Sequence, residues 1–394
     1  MEIEKIYSGD DRFDAINAIY TEAFPPQERF GLDIMLRLAD EGKLDVFALM
    51  HSGEAAGMFV MCLHGHTAYV CYFAIDKALR GKGLGGEVIR SICSHYAGRQ
   101  IVLEIEALDK SAENYSQRKR REEFYLRAGF RHTDRYIRYE GVTYELMFTG
   151  DESFDAADFD ALMDTRRCEG FQPVLFDAKP YSTYIFDLDG TLLDTLDDLT
   201  ASTNFAVQGA GGQAHTREEV CGFVGNGIRK LMQRALPSDI SSEDFEHAFD
   251  SFKRHYGQHC CDNTKPYAGI MDMLRELKAR GKKVAVVSNK ADFAVAELCR
   301  DYFGELVDIC VGEKEGVRRK PSPDSVFAVM ESLGSKPCEC VYIGDSDVDV
   351  DTARNAGIDC ISVLWGFRSE EFLLAHGAKV FAQTPNEICL LTML

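Results

Sequence analysis

Residues 184–191 read Tyr184-Ile185-Phe186-Asp187-Leu188-Asp189-Gly190-Thr191. An apolar strand ends in two carboxylates two positions apart, and Gly190 then lets the chain turn away sharply. In doubly wound folds, ligand sites lie at the carboxyl ends of parallel strands. Two carboxylates this close suit a divalent cation with oxygen ligands, and magnesium is the hard-cation default. One carboxylate could attack phosphorus and form an aspartyl-phosphate. The other could protonate a leaving oxygen. Taken alone, the motif is equally compatible with a strand and an Asp-rich turn.

The sequence around it strengthens the chemical reading. Short apolar runs at 283–287, 306–311, 339–343, 359–364 and 379–382 alternate with helical stretches. That rhythm predicts a parallel sheet with helices on both faces. Between the first two strands the chain reads only as helix, so a cap is expected there, at about 194–265. Later strands also end in useful chemistry. Ser288-Asn289-Lys290 offers a hydroxyl and amides for phosphate oxygens, and Arg318-Arg319-Lys320-Pro321 offers cations. Val341-Tyr342-Ile343-Gly344-Asp345 is followed by Asp347, Asp349 and Asp351. A lone Lys320 would be a solvated lysine and a lone Asp345 a helix cap. Their recurrence at strand ends, in chain order, favours one assembled site.

With these residues in view, the segment 184–385 resembles the haloacid dehalogenase superfamily. The resemblance implies that Asp187 is the nucleophile and Asp189 the general acid and base. It implies that Ser288 binds phosphate and Lys320 neutralises charge. Magnesium would be held by Asp187, Asp345 and the backbone carbonyl of Asp189, with Asp349 as the second acid of that motif. An acid at position 189 points to phosphatases and phosphomutases, away from dehalogenases. The runs 223–231, 266–269, 287–290 and 320–323 are similar to phosphoglycolate phosphatases. That likeness implies a helical cap over a small phosphorylated metabolite such as 2-phosphoglycolate, with Asn289, Asn226 and Arg229 as further candidates near the substrate. A phosphomutase is the alternative.

The N-terminal part is built differently. Helices are expected at 14–24 and 32–40, then strands at 45–50, 55–63 and 67–75, with turns at 51–53 and 64–66. His64-Gly65-His66 has too few neighbouring ligands for a metal site and reads as a turn. Next comes Arg80-Gly81-Lys82-Gly83-Leu84-Gly85-Gly86, ahead of a helix at 86–96. Glycines let backbone amides approach an anion, and a helix N-terminus adds to the attraction. The same residues fit the dinucleotide pattern GxGxxG, with Glu104 beyond. However, three antiparallel-looking strands precede the loop, which a dinucleotide fold would not have. A strand at 101–107, a charged helix up to 128, and strands at 132–139 and 143–148 complete this region.

This region resembles the GNAT-type N-acetyltransferases over residues 1–148. The loop signature is carried by Arg80, Gly83 and Gly85, and the later one by Phe124-Tyr125-Leu126-Arg127-Ala128-Gly129-Phe130. The resemblance implies acetyl-coenzyme A, its pyrophosphate on the amides of Arg80 through Gly85 (Gly81, Lys82, Gly83 and Leu84 between them). Tyr125 would then protonate the departing thiolate. A position often held by Asn is Arg118 here, within a basic run expected to be a solvated helix face. No base stands out, Glu104 and Glu106 being options. The alternative is a domain that binds acetyl-coenzyme A without transferring acetyl and so regulates the phosphatase.

The fold expectation is therefore α/β: an acetyltransferase-like α+β domain at 1–150, an acidic helix and linker at 151–182, and a doubly wound Rossmann-like domain with an inserted helical cap at 183–394. A chain of 394 residues suits two or three domains. A net charge of −20 argues against nucleic-acid binding. No apolar run is long enough for a membrane span and no secretory signal pattern is present, so the expected location is the cytoplasm. The 13 cysteines form no CxxC pair and read as reduced, packed thiols. Oligomeric state has no sequence signature here.

Overall fold

The computed structural model describes residues 1–110, 112–150, 152–166, 173–224 and 227–392. The chain divides into two units, Met1–Asp177 and Ala178–Leu394.

In the first unit, β1 (Glu2–Lys5), α1 (Phe13–Ala23) and α2 (Leu32–Asp40) precede β2 (Asp45–His51), β3 (Glu54–His64) and β4 (Thr67–Ile75). Then come α3 (Leu84–His95), β5 (Gln100–Glu106), α4 (Tyr115–Arg127), β6 (Arg131–Tyr139), β7 (Val142–Thr149), α5 (Ala156–Arg166) and β8 (Val174–Asp177). The strands form one sheet in the order β1-β2-β3-β4-β5-β7-β6-β8. α3 covers one face through Val88, Ile89 and Ile92, packed on Phe47, Phe59 and Leu103. α1 and α2 cover the other through Ile16, Tyr20, Met35 and Leu36. β4 and β5 run parallel and pair only over Thr67–Tyr69 and Gln100–Val102. Beyond that point they part, next to the loop that opens α3.

Here the structure differs from the domain expectation. The acidic segment is helical, yet α5 is no connector: Phe159, Leu162 and Met163 are buried against Cys62, Tyr69, Val102 and Phe148 of the first sheet. An i, i+3, i+4 apolar stripe needs a face to cover it, and the sheet supplies one. β8, expected as linker, pairs antiparallel with β6; part of that linker, including Gly170, lies outside the described residues. Asp158 of α5 accepts from the His66 amide at 2.9 Å and the Thr67 hydroxyl at 2.6 Å. It thereby ties down the 64–67 turn, leaving the paired histidines a structural role.

The second unit is built on a parallel sheet. β9 (Thr183–Phe186) leads to a short pair, β10 (Leu193–Asp194) with β11 (Lys265–Pro266), that closes the base of the cap. The cap holds α6 (Leu196–Gly209), α7 (Arg217–Phe223), α8 (Ile228–Ala235) and α9 (Ser242–His259). It has its own core of Leu199, Leu231, Met232, Phe249, Phe252 and Tyr256. After α10 (Ile270–Ala279) come β12 (Lys283–Ala291), α11 (Asp292–Tyr302), β13 (Ile309–Glu313), α12 (Asp324–Leu333), β14 (Cys340–Gly344), α13 (Asp347–Ala356), β15 (Asp359–Val363) and β16 (Val380–Ala382). The sheet order is β13-β12-β9-β14-β15-β16. β9 is thus central, flanked in parallel by β12 and β14. Its four residues are all buried, as a strand covered on both faces must be. Among the described residues no helix is long and apolar enough to cross a membrane.

Candidate functional site

The central strands deliver their side chains to one edge. The Asp187 amide donates to the Ile343 carbonyl at 2.8 Å, extending the β9–β14 ladder by one residue. This sets Asp187 beside Asp345, which follows β14. Gly190 has φ +87°, and a Cβ there would stand 2.5 Å from an Asp345 oxygen. Glycine is thus required both by the turn and by the close approach of a carboxylate. Asp345 is fixed by the Thr191 hydroxyl at 3.0 Å and the Phe367 amide at 2.8 Å. Asp349 completes a capping box with Ser346 at the start of α13 and turns its other oxygen to Lys320.

Lys320 is the hub. Its ammonium donates to Asp187 at 2.7 Å, Asp349 at 2.7 Å and the Tyr342 hydroxyl at 3.0 Å. It is only 6% exposed. Asn289 clamps its backbone, accepting from the Lys320 amide at 2.9 Å and donating to the Lys320 carbonyl at 3.1 Å. Burial opposes the Lys320 charge, but Asp187 and Asp349 outweigh it and hold the ammonium well above its ordinary value.

Burial pushes the Asp187 carboxyl up to about 8; Lys320 pulls against this, while Asp349 and Asp345 add to it. Burial likewise lifts Asp345 to about 7, Asp349 contributing. Oxygens of Asp187, Asp345 and Asp349 lie within 4.8 Å of one another, all three residues buried. Three carboxylates against one ammonium leave negative charge uncompensated in a dry place, which is costly unless paired or metal-bound. A hard divalent cation fits this all-oxygen donor set. The Asp189 carboxylate stands apart from the cluster, held by Lys290 at 3.0 Å.

Asp187, Asp189, Ser288, Asn289, Lys320 and Asp345 line one cavity of about 100 Å³, together with Lys290, Tyr256 and Arg368. The structure does not bring Arg229 there. That side chain pairs with Glu246 at 2.6 and 2.9 Å and stacks 4.4 Å over the Phe249 ring. Ile228 and Leu231 of the same helix turn to the cavity instead, because α8 is amphipathic and Arg229 falls on its outer face. Asn226 lies outside the described residues. Sequence reasoning missed Tyr342, hidden in an apolar strand, and Tyr256 and Arg368, which no motif marks. Lys290 was within reach, next to Ser288 and Asn289.

In the first unit, Gly81 (φ +78°) and Gly83 (φ +83°) shape an exposed loop leading into α3. The first amides of a helix lack intrahelical acceptors, so Leu84 and Gly85 face the loop with free donors of this kind. A Cβ on Gly85 would meet the Phe124 ring at 3.1 Å, so packing on α4 also calls for glycine. Arg80 is tied back, donating to the Ile75 carbonyl at 2.8 Å and to Glu22 at 2.7 Å. Tyr125 is half-buried between Phe124 and Phe130, at ring separations of 5.0 and 5.5 Å. Burial pushes its phenol up to about 12. Glu106 is engaged by Arg118 at 3.2 Å and Arg121 at 3.0 Å. Arg118 is therefore no solvated residue: only 16% of its side chain is exposed. Burial raises the Glu104 carboxyl, which accepts from the Tyr139 hydroxyl.

A cation-ready carboxylate cluster under a helical cap, on a parallel sheet, defines a class. The chain belongs to the haloacid dehalogenase-like hydrolases, whose model it matches over residues 184–363, and it is an enzyme of the phosphatase kind. Residues 42–132 match the acetyltransferase (GNAT) domain, which the first unit carries. More narrowly, the second half is 32% identical over 214 residues to a phosphoglycolate phosphatase of Aquifex aeolicus, spanning 52% of this chain and 97% of that protein. It is 32% identical over 209 residues to phosphoglycolate phosphatase 1 of Pseudomonas aeruginosa, spanning 51% of this chain and 74% of that one. A crystal structure of a candidate phosphoglycolate phosphatase from Lactobacillus delbrueckii subsp. bulgaricus superposes with a TM-score of 0.52 at 38% identity, covering 53% of this chain and 97% of that chain.

Proposed function

We propose that the second unit is a magnesium-dependent phosphomonoesterase acting through an aspartyl-phosphate on a small metabolite such as 2-phosphoglycolate. The observation that carries this reading is the buried ammonium of Lys320 bonded to both Asp187 and Asp349, with Asp345 alongside. Asp187 attacks phosphorus, and Asp189 gives its proton to the departing alkoxide. Asp189 then takes a proton from the water that hydrolyses the aspartyl-phosphate. Ser288 donates to a phosphoryl oxygen, and the Lys320 charge offsets the negative charge gathered there. Asp187, Asp345 and the Asp189 carbonyl would hold magnesium, with Asp349 fixing Lys320 beside them. The ion supplies further positive charge at the phosphoryl group. The test is phosphate release from a panel including 2-phosphoglycolate, with and without magnesium, beside Asp187→Asn. Magnesium-dependent release that the variant lacks supports the reading. Release that the variant retains would sink it.

For the first unit we propose acetyl-coenzyme A as ligand, its pyrophosphate on the amides of residues 80–85, and acetyl transfer to an amine with Tyr125 as acid. A second reading, a non-catalytic sensor, is favoured by the engagement of Glu106 with Arg118 and Arg121 and of Glu104 with Tyr139. Calorimetry with acetyl-coenzyme A beside acetylation of an amine panel separates the two: binding without transfer selects the sensor.

A further inference from the structure

The cavity of the second unit has two electrostatic ends. At one, Lys320 gives all three of its ammonium hydrogens to Asp187, Asp349 and Tyr342. At the other stands Lys290, whose ammonium reaches Asp189 at 3.0 and 3.4 Å and the hydroxyl of Tyr256. Both partners are themselves buried or nearly so: Tyr256 is 8% exposed, and the side chains of Lys290 and Asp189 are 7% and 19% exposed. Lys290 also sits 4.7 Å over the Tyr256 ring. An ammonium has three donors: the Tyr256 hydroxyl takes one, the nearer Asp189 oxygen a second, and the farther Asp189 oxygen, at 3.4 Å, holds the third only weakly. A ligand oxygen in the cavity that Lys290 lines can replace that weakest contact. The walls on that side are apolar, from Leu199, Val224, Ile228 and Leu231 of the cap segment.

On the proposed reading, Asp189 addresses the leaving oxygen. Lys290, bonded to Asp189, therefore flanks the alcohol part of the substrate and not its phosphoryl group. We propose that Lys290 is a specificity-determining residue that reads a second anionic group, a carboxylate on the leaving alcohol, and that Tyr256 is the positioning residue through which cap helix α9 aims it. The substrate class is then phosphorylated hydroxyacids, small enough to put the carboxylate within a few bonds of the ester oxygen. An apolar wall beside a desolvated cation rewards such an anion, because a charge-assisted hydrogen bond is stronger away from water; Arg368, another cation lining the cavity, donates to the Cys221 and Val224 carbonyls. Substrates whose alcohol part is neutral offer that donor no charged acceptor and gain nothing from it. Tyr256 also links recognition to the cap, since it belongs to the cap core with Phe252, stacked 5.4 Å away.

This inference rests on the phosphatase reading, and its test keeps the two apart. The full chain, loaded with magnesium, is assayed for kcat/KM on 2-phosphoglycolate and on ethyl phosphate, as wild type, Lys290→Met and Tyr256→Phe. The quantity read is the ratio of the two kcat/KM values, which is insensitive to a uniform loss of active protein. The ratio should favour 2-phosphoglycolate in the wild type and fall by about 10- to 100-fold in Lys290→Met, the range for losing one hydrogen bond to a charged group. In Tyr256→Phe, which removes only the hydroxyl that positions the ammonium, it should fall by a smaller factor, about threefold to tenfold. Should Lys290→Met fail to fold, Tyr256→Phe alone carries the comparison. A ratio unchanged in the folded variants, or a wild type with no preference for the carboxylate, overturns the assignment of Lys290 while leaving the phosphatase intact. Absence of release from both substrates overturns the phosphatase reading itself, and this inference with it.

Discussion

In the second unit the proposed chemistry rests on side chains buried against one another, Lys320 at 6% exposure binding Asp187 and Asp349. In the first unit the proposed anion-binding groups are backbone amides on an exposed glycine loop, and its arginine pairs with Glu22 at the surface. On the proposed functions, the contrast follows from what each site would handle. A phosphoryl transfer develops charge that must be met by fixed, dry dipoles and ions. Binding of a pyrophosphate can rely on amides that every chain has, given glycines that let them converge. A buried ionic network should therefore be sensitive to each member, whereas an amide loop should be sensitive to its backbone and indifferent to most side chains.

The largest effect is expected from Asp187→Asn. Losing a covalent nucleophile should lower phosphate release by at least about a thousandfold, with the circular dichroism spectrum retained. Activity within tenfold of wild type would break the comparison, since the buried network would then not be the site. Removing divalent cations with a chelator should silence release to a similar degree, and magnesium should restore it. Because the proposed ion site exists only in the folded cluster, magnesium at about 100 times its Kd should stabilise the second unit by about 2.7 kcal/mol, read as a rise in Tm. An unchanged Tm would mean that the three carboxylates do not take up the ion.

Next in size is Lys320→Met. It leaves two buried carboxylates without their cation, so the second unit should lose about 3–5 kcal/mol in a urea titration. A loss below 1 kcal/mol would show that the network is wetter than its burial suggests.

How much of this was legible beforehand differs along the chain in an instructive way. Every strand of the second sheet could be read because buried parallel strands are apolar runs, and Asp187, Ser288 and Asp345 follow such runs directly. Lys290 and Tyr256 escaped notice for different reasons. Lys290 ends the run Ser288-Asn289-Lys290, whose hydroxyl and amides draw the phosphate reading, while Tyr256 belongs to a cap helix where an aromatic at helical spacing reads as core. It is both: its ring packs in the cap core and its hydroxyl meets Lys290. Arg229 misled because sequence proximity to Asn226 says nothing about which side of α8 faces the cavity. In the first unit, α5 was legible as a helix but not as part of the domain. Its acids and its place between two different patterns read as a connecting helix, and only three-dimensional packing shows Phe159 buried on the sheet. The edge strands β1 and β8 are four residues each, too short to show a period.

The loop supplies the smaller effects. Gly83 has φ +83° and nothing within 4 Å of a would-be Cβ, so Gly83→Ala is penalised by conformation alone, by about 1–2 kcal/mol. Calorimetry should show weaker acetyl-coenzyme A binding, because the amides no longer converge. Undiminished binding would move the anion site away from this loop.

Arg80→Ala is the finest test of the contrast. Arg80 and Glu22 form an ion pair at 2.7 Å, yet both side chains are 44% exposed. Distance alone would rank this pair with Lys320 and Asp187, also at 2.7 Å. Exposure ranks it far lower: water solvates the separated charges well and salt screens what attraction is left. Arg80→Ala should therefore change the first unit's unfolding free energy by less than about 1 kcal/mol, and raised salt should shrink even that. A loss as large as that from Lys320→Met would mean that bond length, and not burial, decides what an ion pair contributes in this protein.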